Sequence, residues 1–195
     1  MTATDPAVEA SSGIRVEHPP IPRYVQIGER IYNYLVTWFP SHHVRQAFLR
    51  FFGARIGKNT SIMMGTTLMG LSRLVIGDCC SIGFRCLLDA RGGIVIDDDV
   101  VLASDVHIVT AKHLANSPDF AVELDSVHIG HHAWITSRCT VLQGVDIGVG
   151  AVVGACSLVL SDVEDMTIVA GSPAKPIGKR DSTLEYHPVF RPILT

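Results

Sequence analysis

Nine histidines, His18, His42, His43, His107, His113, His128, His131, His132 and His187, are the side chains of this 195-residue chain best placed to move protons near neutral pH. Three of them, His128, His131 and His132, crowd together, and such a cluster raises a metal-binding reading. His113 is different. It opens a long irregular segment, 114–128, rich in the turn formers Asn116, Ser117, Pro118 and Asp119. By placement alone a histidine there is far more often a solvated surface group than a base. The five cysteines are odd in number and form no CxxC pair, which fits small core residues in a reducing compartment.

The elements that must hold these residues follow from a period of six. Ile129, Ile135, Val141, Ile147, Val153 and Val159 are all β-branched, and each is followed four positions later by a small or β-branched residue. Neither the helical period of 3.6 nor the strand period of 2 yields this run. A hexapeptide repeat is the mark of a parallel β-helix, whose short strands each cover one face of a prism. Upstream the frame runs Ile56, Ile62, Leu68, then Ile76, Ile82, Leu88, then Ile96, Leu102, Ile108, with two extra residues before the second and third coils. Coils then start at 56, 76, 96, 129 and 147, and five coils spaced as parallel strands make a prism about 24 Å long. In this frame His113 ends the third coil at a corner. Asp89 lies on the third face of the coil before, so Asp89, Arg91 and His113 could line one pocket, with the solvent-facing turn pair as the plain alternative for the first two.

Four segments result: a lead over 1–22, a helical cap over 23–53, a β-helix over 54–180 with the loop 114–128, and a tail over 181–195. In the cap, Tyr24, Ile27, Ile31, Leu35 and Trp38 follow helical spacing, Pro40 breaks it, and Ser41 and Gly53 bracket a second short helix. Such helices can cover the open sheet edges of the first coil. Phe48, Phe51 and Phe52 beside Arg45 and Arg50 also admit peripheral contact with a membrane surface. Hydrophobic residues make up 47% of the chain and charged ones 18%, with a net charge of −3, a pI near 6.3 and a mean hydropathy of +0.30. This gives no basic bias toward nucleic acid. It implies much buried apolar surface, part of it between subunits. The polar, proline-rich first 22 residues hold no signal-peptide core, so a cytoplasmic protein is expected. The longest apolar stretch, Tyr32 to Phe39, is too short to span a bilayer.

From Ala54 to Lys179 the chain resembles the hexapeptide-repeat acyltransferases, through IGHHAWITSRCTVLQGVDIGVGAVVGACSLVL followed by VAGSPAKPIG. The stretch RQAFLRFFGARIGKNTSI is similar to bacterial glycan and exopolysaccharide O-acetyltransferases. The resemblance implies a left-handed β-helix, a homotrimer with sites between prisms, and acetyl-CoA as donor, without a metal. The acceptor it implies is a small molecule or glycan hydroxyl. VLASDVHIVTAKH resembles the family stretch that ends in the catalytic histidine, which gives His113 the role of base. The match also places Ser137 and Ala155 against the pantetheine arm and Lys175 near the nucleotide phosphates, with Lys179 and Arg180 assisting. Trp134 is positioned to cover the cofactor or acceptor, and Asp89 and Arg91 are acceptor candidates. The implied mechanism is direct transfer, with a backbone N–H near Ser137 holding the oxyanion. Two family features are absent. SIGFRCLLDARGG lacks the asparagine of maltose and galactoside enzymes, and Leu160 stands where a threonine contacts the cofactor. Ser137 and Ala155 are 18 residues apart and stack in one column, expected on the second face, away from His113. That separation independently favours sites between prisms of a symmetric oligomer. Two other readings compete. One is a zinc enzyme of the carbonic anhydrase type, whose five-residue histidine spacing is missing here. The other is a non-catalytic scaffold.

Overall fold

The computed structural model describes residues 20–190, so nearly all of the expected lead and the last five residues of the tail lie outside the described residues. Two helices precede the prism: α1 (Arg23–Tyr34) and α2 (His42–Phe51), joined through a single 3-10 turn, Val36–Trp38. The first face carries β1 (Arg55–Ile56), β4 (Leu74–Ile76), β7 (Ile94–Ile96), β12 (Val127–Ile129) and β15 (Asp146–Ile147). The second carries β2 (Ser61–Ile62), β5 (Ser81–Ile82), β8 (Val101–Leu102), β13 (Trp134–Ile135), β16 (Val152–Val153) and β18 (Thr167–Gly171), closed by antiparallel β19 (Ala174–Lys179). The third carries β3 (Thr67–Met69), β6 (Leu87–Asp89), β9 (His107–Val109), β14 (Thr140–Val141) and β17 (Leu158–Val159). Apart from β19, neighbours on each face pair in parallel. The molecule is a parallel β-solenoid.

The six-residue frame is also the ladder register. Ile56, Ile76, Ile96, Ile129 and Ile147 align on the first face, and Ile62, Ile82, Leu102, Ile135 and Val153 on the second. Leu68, Leu88, Ile108, Val141 and Val159 align on the third. These side chains fill the prism axis, and Cys80, Cys86, Ala133, Cys139 and Ala151 are buried at its tight corners. Glycine is needed where coils touch most closely. A Cβ on Gly57 would lie 2.3 Å from Asp78 Oδ1, the atom that accepts from Lys58 N at 2.6 Å.

Two expectations are corrected, and the structure sets which face of α1 turns inward. The prism does not end with a fifth coil at Glu164: Val163 bridges Ile147 and β18 joins β16, so a sixth coil begins. The frame steps four residues from Val159 to Val163, then six to Val169, and this shortened corner hides the continuation from a strict period of six. The expected loop 114–128 is in fact a hairpin that starts earlier, β10 (Ala111–His113) against β11 (Val122–Leu124). The apolar stripe of α1 faces outward. Val25, Gly28 and Tyr32 are buried, whereas Tyr24, Ile27, Ile31, Leu35 and Trp38 are exposed, Leu35 by 70%.

The helices give the prism the buried Val25, Tyr32 and Leu49, which join its core, and a set of polar contacts. Arg50 donates to the carbonyls of Ile56 and Gly57, Gln46 to Thr60, Arg45 to Ile62, Thr37 to Thr66 and Asn33 to Leu68. Glu29 accepts from the N–H groups of Gly70 and Leu71. The first coil would otherwise present a row of unpaired backbone groups, and the helices satisfy them one by one. The two helices thus meet the first coil through hydrogen bonds as well as through buried apolar side chains.

Candidate acetyl-transfer site

His113 ends β10, exposed, where the hairpin leaves the corner between the third and first faces. Its ring stacks on Phe120 across the hairpin, centroids 4.3 Å apart and planes within 11°. His113 Nδ1 lies 2.9 Å from the carbonyl oxygen of Phe120. A carbonyl only accepts, so Nδ1 carries the proton, and the neutral ring keeps its lone pair on Nε2. The ladder pair His113–Val122 fixes the backbone on which this depends. The hairpin thus holds an imidazole with one nitrogen committed and the other ready to take a proton.

Asp89 and Arg91 are brought together, with each other first. Arg91 Nε donates to Asp89 Oδ1 at 2.8 Å and its Nη2 to Oδ2 at 2.7 Å, a two-pronged pair. The Asp89 carboxylate is buried, 1% exposed, so its role is to hold the guanidinium. Arg91 lines a groove of about 720 Å³ between α1 and the third face, with Glu29, Arg30, Tyr34, Arg73 and Leu124. Leu124 pairs with Ala111 at the base of the hairpin, which places the groove beside the element that carries His113. Asp89 and His113 do not themselves line it, so the single pocket expected for all three resolves into a groove and a neighbouring hairpin.

Ser137 and Ala155 are both exposed and stack as expected, since Cys156 N donates to Ser137 O at 3.0 Å. Their place differs from the expectation. They occupy the corner turns between the second and third faces, because β13 and β16 are only two residues long and end before them. The third face therefore lies between this column and the hairpin of His113. Trp134 projects from β13 on the second face, 46% exposed. Leu160 is exposed just past β17. Lys175 and Lys179 lie on β19 and line a pocket of about 450 Å³ at the C-terminal end of the prism, with Asp162 and Glu164. Arg180 turns elsewhere, donating to the carbonyls of His132 and Gly150.

The histidine cluster after the hairpin does not converge on one point. His128 is clasped by Asp146 at 2.9 Å and Asp97 at 3.1 Å on the first face. Burial opposes its charge, but the two carboxylates outweigh it and raise its pKa above the ordinary value. His132 reaches the carbonyl of Tyr186, and His131 contacts His132. His107 sits exposed on β9. Two features were missed in the sequence. Phe120 orients the His113 ring by stacking on it and through its backbone carbonyl, and no spacing signal marks it because the two meet only where the hairpin closes. The groove beside α1 is formed by residues far apart in the chain.

A hexapeptide-framed parallel β-solenoid with a histidine-bearing hairpin at one corner is the class that this geometry defines. No family model matches the chain. It is 30% identical over 161 residues to the Escherichia coli K12 protein named "Putative colanic acid biosynthesis acetyltransferase WcaF", covering 82% of this chain and 88% of that protein. The chain belongs to the hexapeptide-repeat acetyltransferases. A chloramphenicol acetyltransferase of Escherichia coli is 36% identical over 121 residues, 59% of this chain and 55% of that one. Among solved structures, the hexapeptide-repeat acetyltransferase VCA0836 of Vibrio cholerae superposes with a TM-score of 0.72 at 22% identity, covering 82% of this chain and 90% of the other. A maltose O-acetyltransferase of Clostridium difficile 630 superposes at 0.70 and 24% identity, covering 82% and 86%. These two likenesses concern the fold.

Proposed function

We propose that the chain transfers an acetyl group directly from acetyl-CoA to a hydroxyl of a sugar or glycan, with His113 as general base. The observation that carries this reading is the His113 Nδ1 to Phe120 carbonyl bond, which leaves Nε2 as the accepting nitrogen. Nε2 takes the hydroxyl proton as the oxygen attacks the thioester carbonyl. A backbone N–H near Ser137 holds the oxyanion, and the CoA thiolate leaves and is protonated. Ser137 and Ala155 seat the pantetheine arm, Trp134 covers it, and Lys175 meets the nucleotide phosphates. Arg91, held by Asp89, orients the acceptor in the groove beside α1. The arginines of that groove favour an acceptor with negative charge. An acceptor in sugar or polysaccharide synthesis agrees with the colanic acid role in the name of the WcaF relative and with the maltose named for the Clostridium structure.

Donor column and base flank opposite edges of the third face, so the working unit is a homotrimer in which one prism supplies His113 and its neighbour the donor corner. The exposed α1 stripe, flanked by Arg23 and Arg30, rests on an anionic lipid surface. Among the described residues no helix is long and apolar enough to cross a membrane. Thiol release from acetyl-CoA against a panel of sugar and glycan acceptors tests the activity. His113→Ala should lower kcat by about 10²- to 10⁴-fold while circular dichroism and acetyl-CoA binding stay unchanged. Near-normal turnover in that variant would sink the assignment.

A further inference from the structure

The corner between the first and second faces carries a second constellation, away from the His113 corner. Cys79, Asp99 and His132 occupy successive turns there, each in the left-handed region with φ of 56°, 62° and 60°. A residue with positive φ at a corner turns its side chain out of the stacked turns, so the three side chains form one external column. The segment after β19 comes back over this column. Tyr186 packs edge-on against His132, ring centroids 5.0 Å apart, and His187 Nδ1 reaches Asp99 Oδ1 at 2.7 Å. The thiol of Cys79, a carboxylate oxygen of Asp99 and a ring nitrogen of His187 all lie within 4.8 Å of one another.

We propose that Cys79, Asp99 and His187 form a structural site for a divalent metal of the zinc type. Thiolate, carboxylate and imidazole are the donors that zinc takes, at about 2.0–2.3 Å each. Three such bonds set donors about 3.5 Å apart, so the Asp99–His187 pair, 2.7 Å apart here, opens by roughly 1 Å and the thiol, within 4.8 Å of both, closes in. The charges close as well. A thiolate and a carboxylate neutralise the ion, and the thiol proton leaves to solvent on binding. The Asp99 side chain is only 8% exposed, which separates this group from an ordinary solvated acidic cluster. His132 Nε2, 3.6 Å from Asp99 Oδ2, supplies a fourth donor when it lets go of the Tyr186 carbonyl. The ligands come from coils two, three and four and from a residue 88 positions beyond Asp99, so the metal would pin the C-terminal segment to the prism. Zinc bound here would be no sign of hydration chemistry, because it sits at a different corner from the proposed base.

The test uses the full chain without a polyhistidine tag, stripped by chelator and titrated with Co²⁺ and then Zn²⁺. We expect about one equivalent per chain, a thiolate-to-cobalt charge-transfer band, and a Tm raised by about 5 °C at saturation. Cys79→Ser should abolish the band, and His187→Ala should weaken binding at least tenfold or so. Both side chains lie at the surface of an otherwise complete prism, and circular dichroism checks that the variants fold. Absence of stoichiometric binding, or binding that survives either substitution unchanged, overturns the proposal.

Discussion

At the scale of single residues, the chemistry rests on what each imidazole is bonded to. His113 donates from Nδ1 to a carbonyl and leaves Nε2 for the proton transfer proposed here, whereas His128 spends both nitrogens on carboxylates. The same side chain is thus a proposed base at one corner and a charged brace on another face. The brace should be visible in stability. His128 has a raised folded pKa, so its contribution is fully present below the unfolded value near 6.5 and is lost as pH rises through the folded pKa. His128→Asn should therefore lower Tm more at pH 5.5 than at pH 8.5. The ring is 43% exposed and partly screened, so the difference should stay below about 1 kcal/mol. Equal losses at both pH values would show that the pair does not titrate. His113 was legible as the residue before a break in the repeat. Its orientation was not, because Phe120 is paired to it only by the closing of the hairpin.

At the scale of elements, α1 shows how a correct period can conceal a face. Tyr24, Ile27, Ile31 and Leu35 repeat as a helix should, yet they point outward, and the inner side is made by Glu29, Tyr32 and Asn33. The open edge of the first coil needs donors and acceptors as well as apolar contact, so the side that carries both Glu29 and Asn33 and the buried Val25 and Tyr32 faces it. With Glu29 turned to the prism, Arg23 and Arg30 are the charges left on the exposed side of α1. The helix should therefore co-sediment with vesicles containing anionic lipid, and salt should weaken the association. Ile27→Glu with Leu35→Glu should release the protein to the supernatant. Equal pelleting of wild type and variant would remove the lipid surface as the partner of this stripe.

At the scale of the whole molecule, the separation of the proposed donor corner from the proposed base across the third face predicts complementation. His113→Ala and Ser137→Trp should each be inactive alone. Co-expressed, they should regain about a quarter of wild-type turnover, the share of interfaces that join an intact hairpin to an intact column in randomly mixed trimers. No recovery would place base and donor in one chain. The sequence by itself determined the solenoid, its faces and its register. A side chain every six residues must point inward once each strand is short and each corner tight, and that rule is local. It also marked the corner where the prism is interrupted, and the resemblance supplied the residues at stake. Only the tertiary structure decided that the prism runs on into a sixth coil through a shortened corner, and that Asp89 serves Arg91. It alone also bent the C-terminal segment back to set His187 beside Asp99 and Cys79. Each of these depends on contacts between residues far apart in the chain, where no period constrains the spacing and the packing of one coil on another makes the choice.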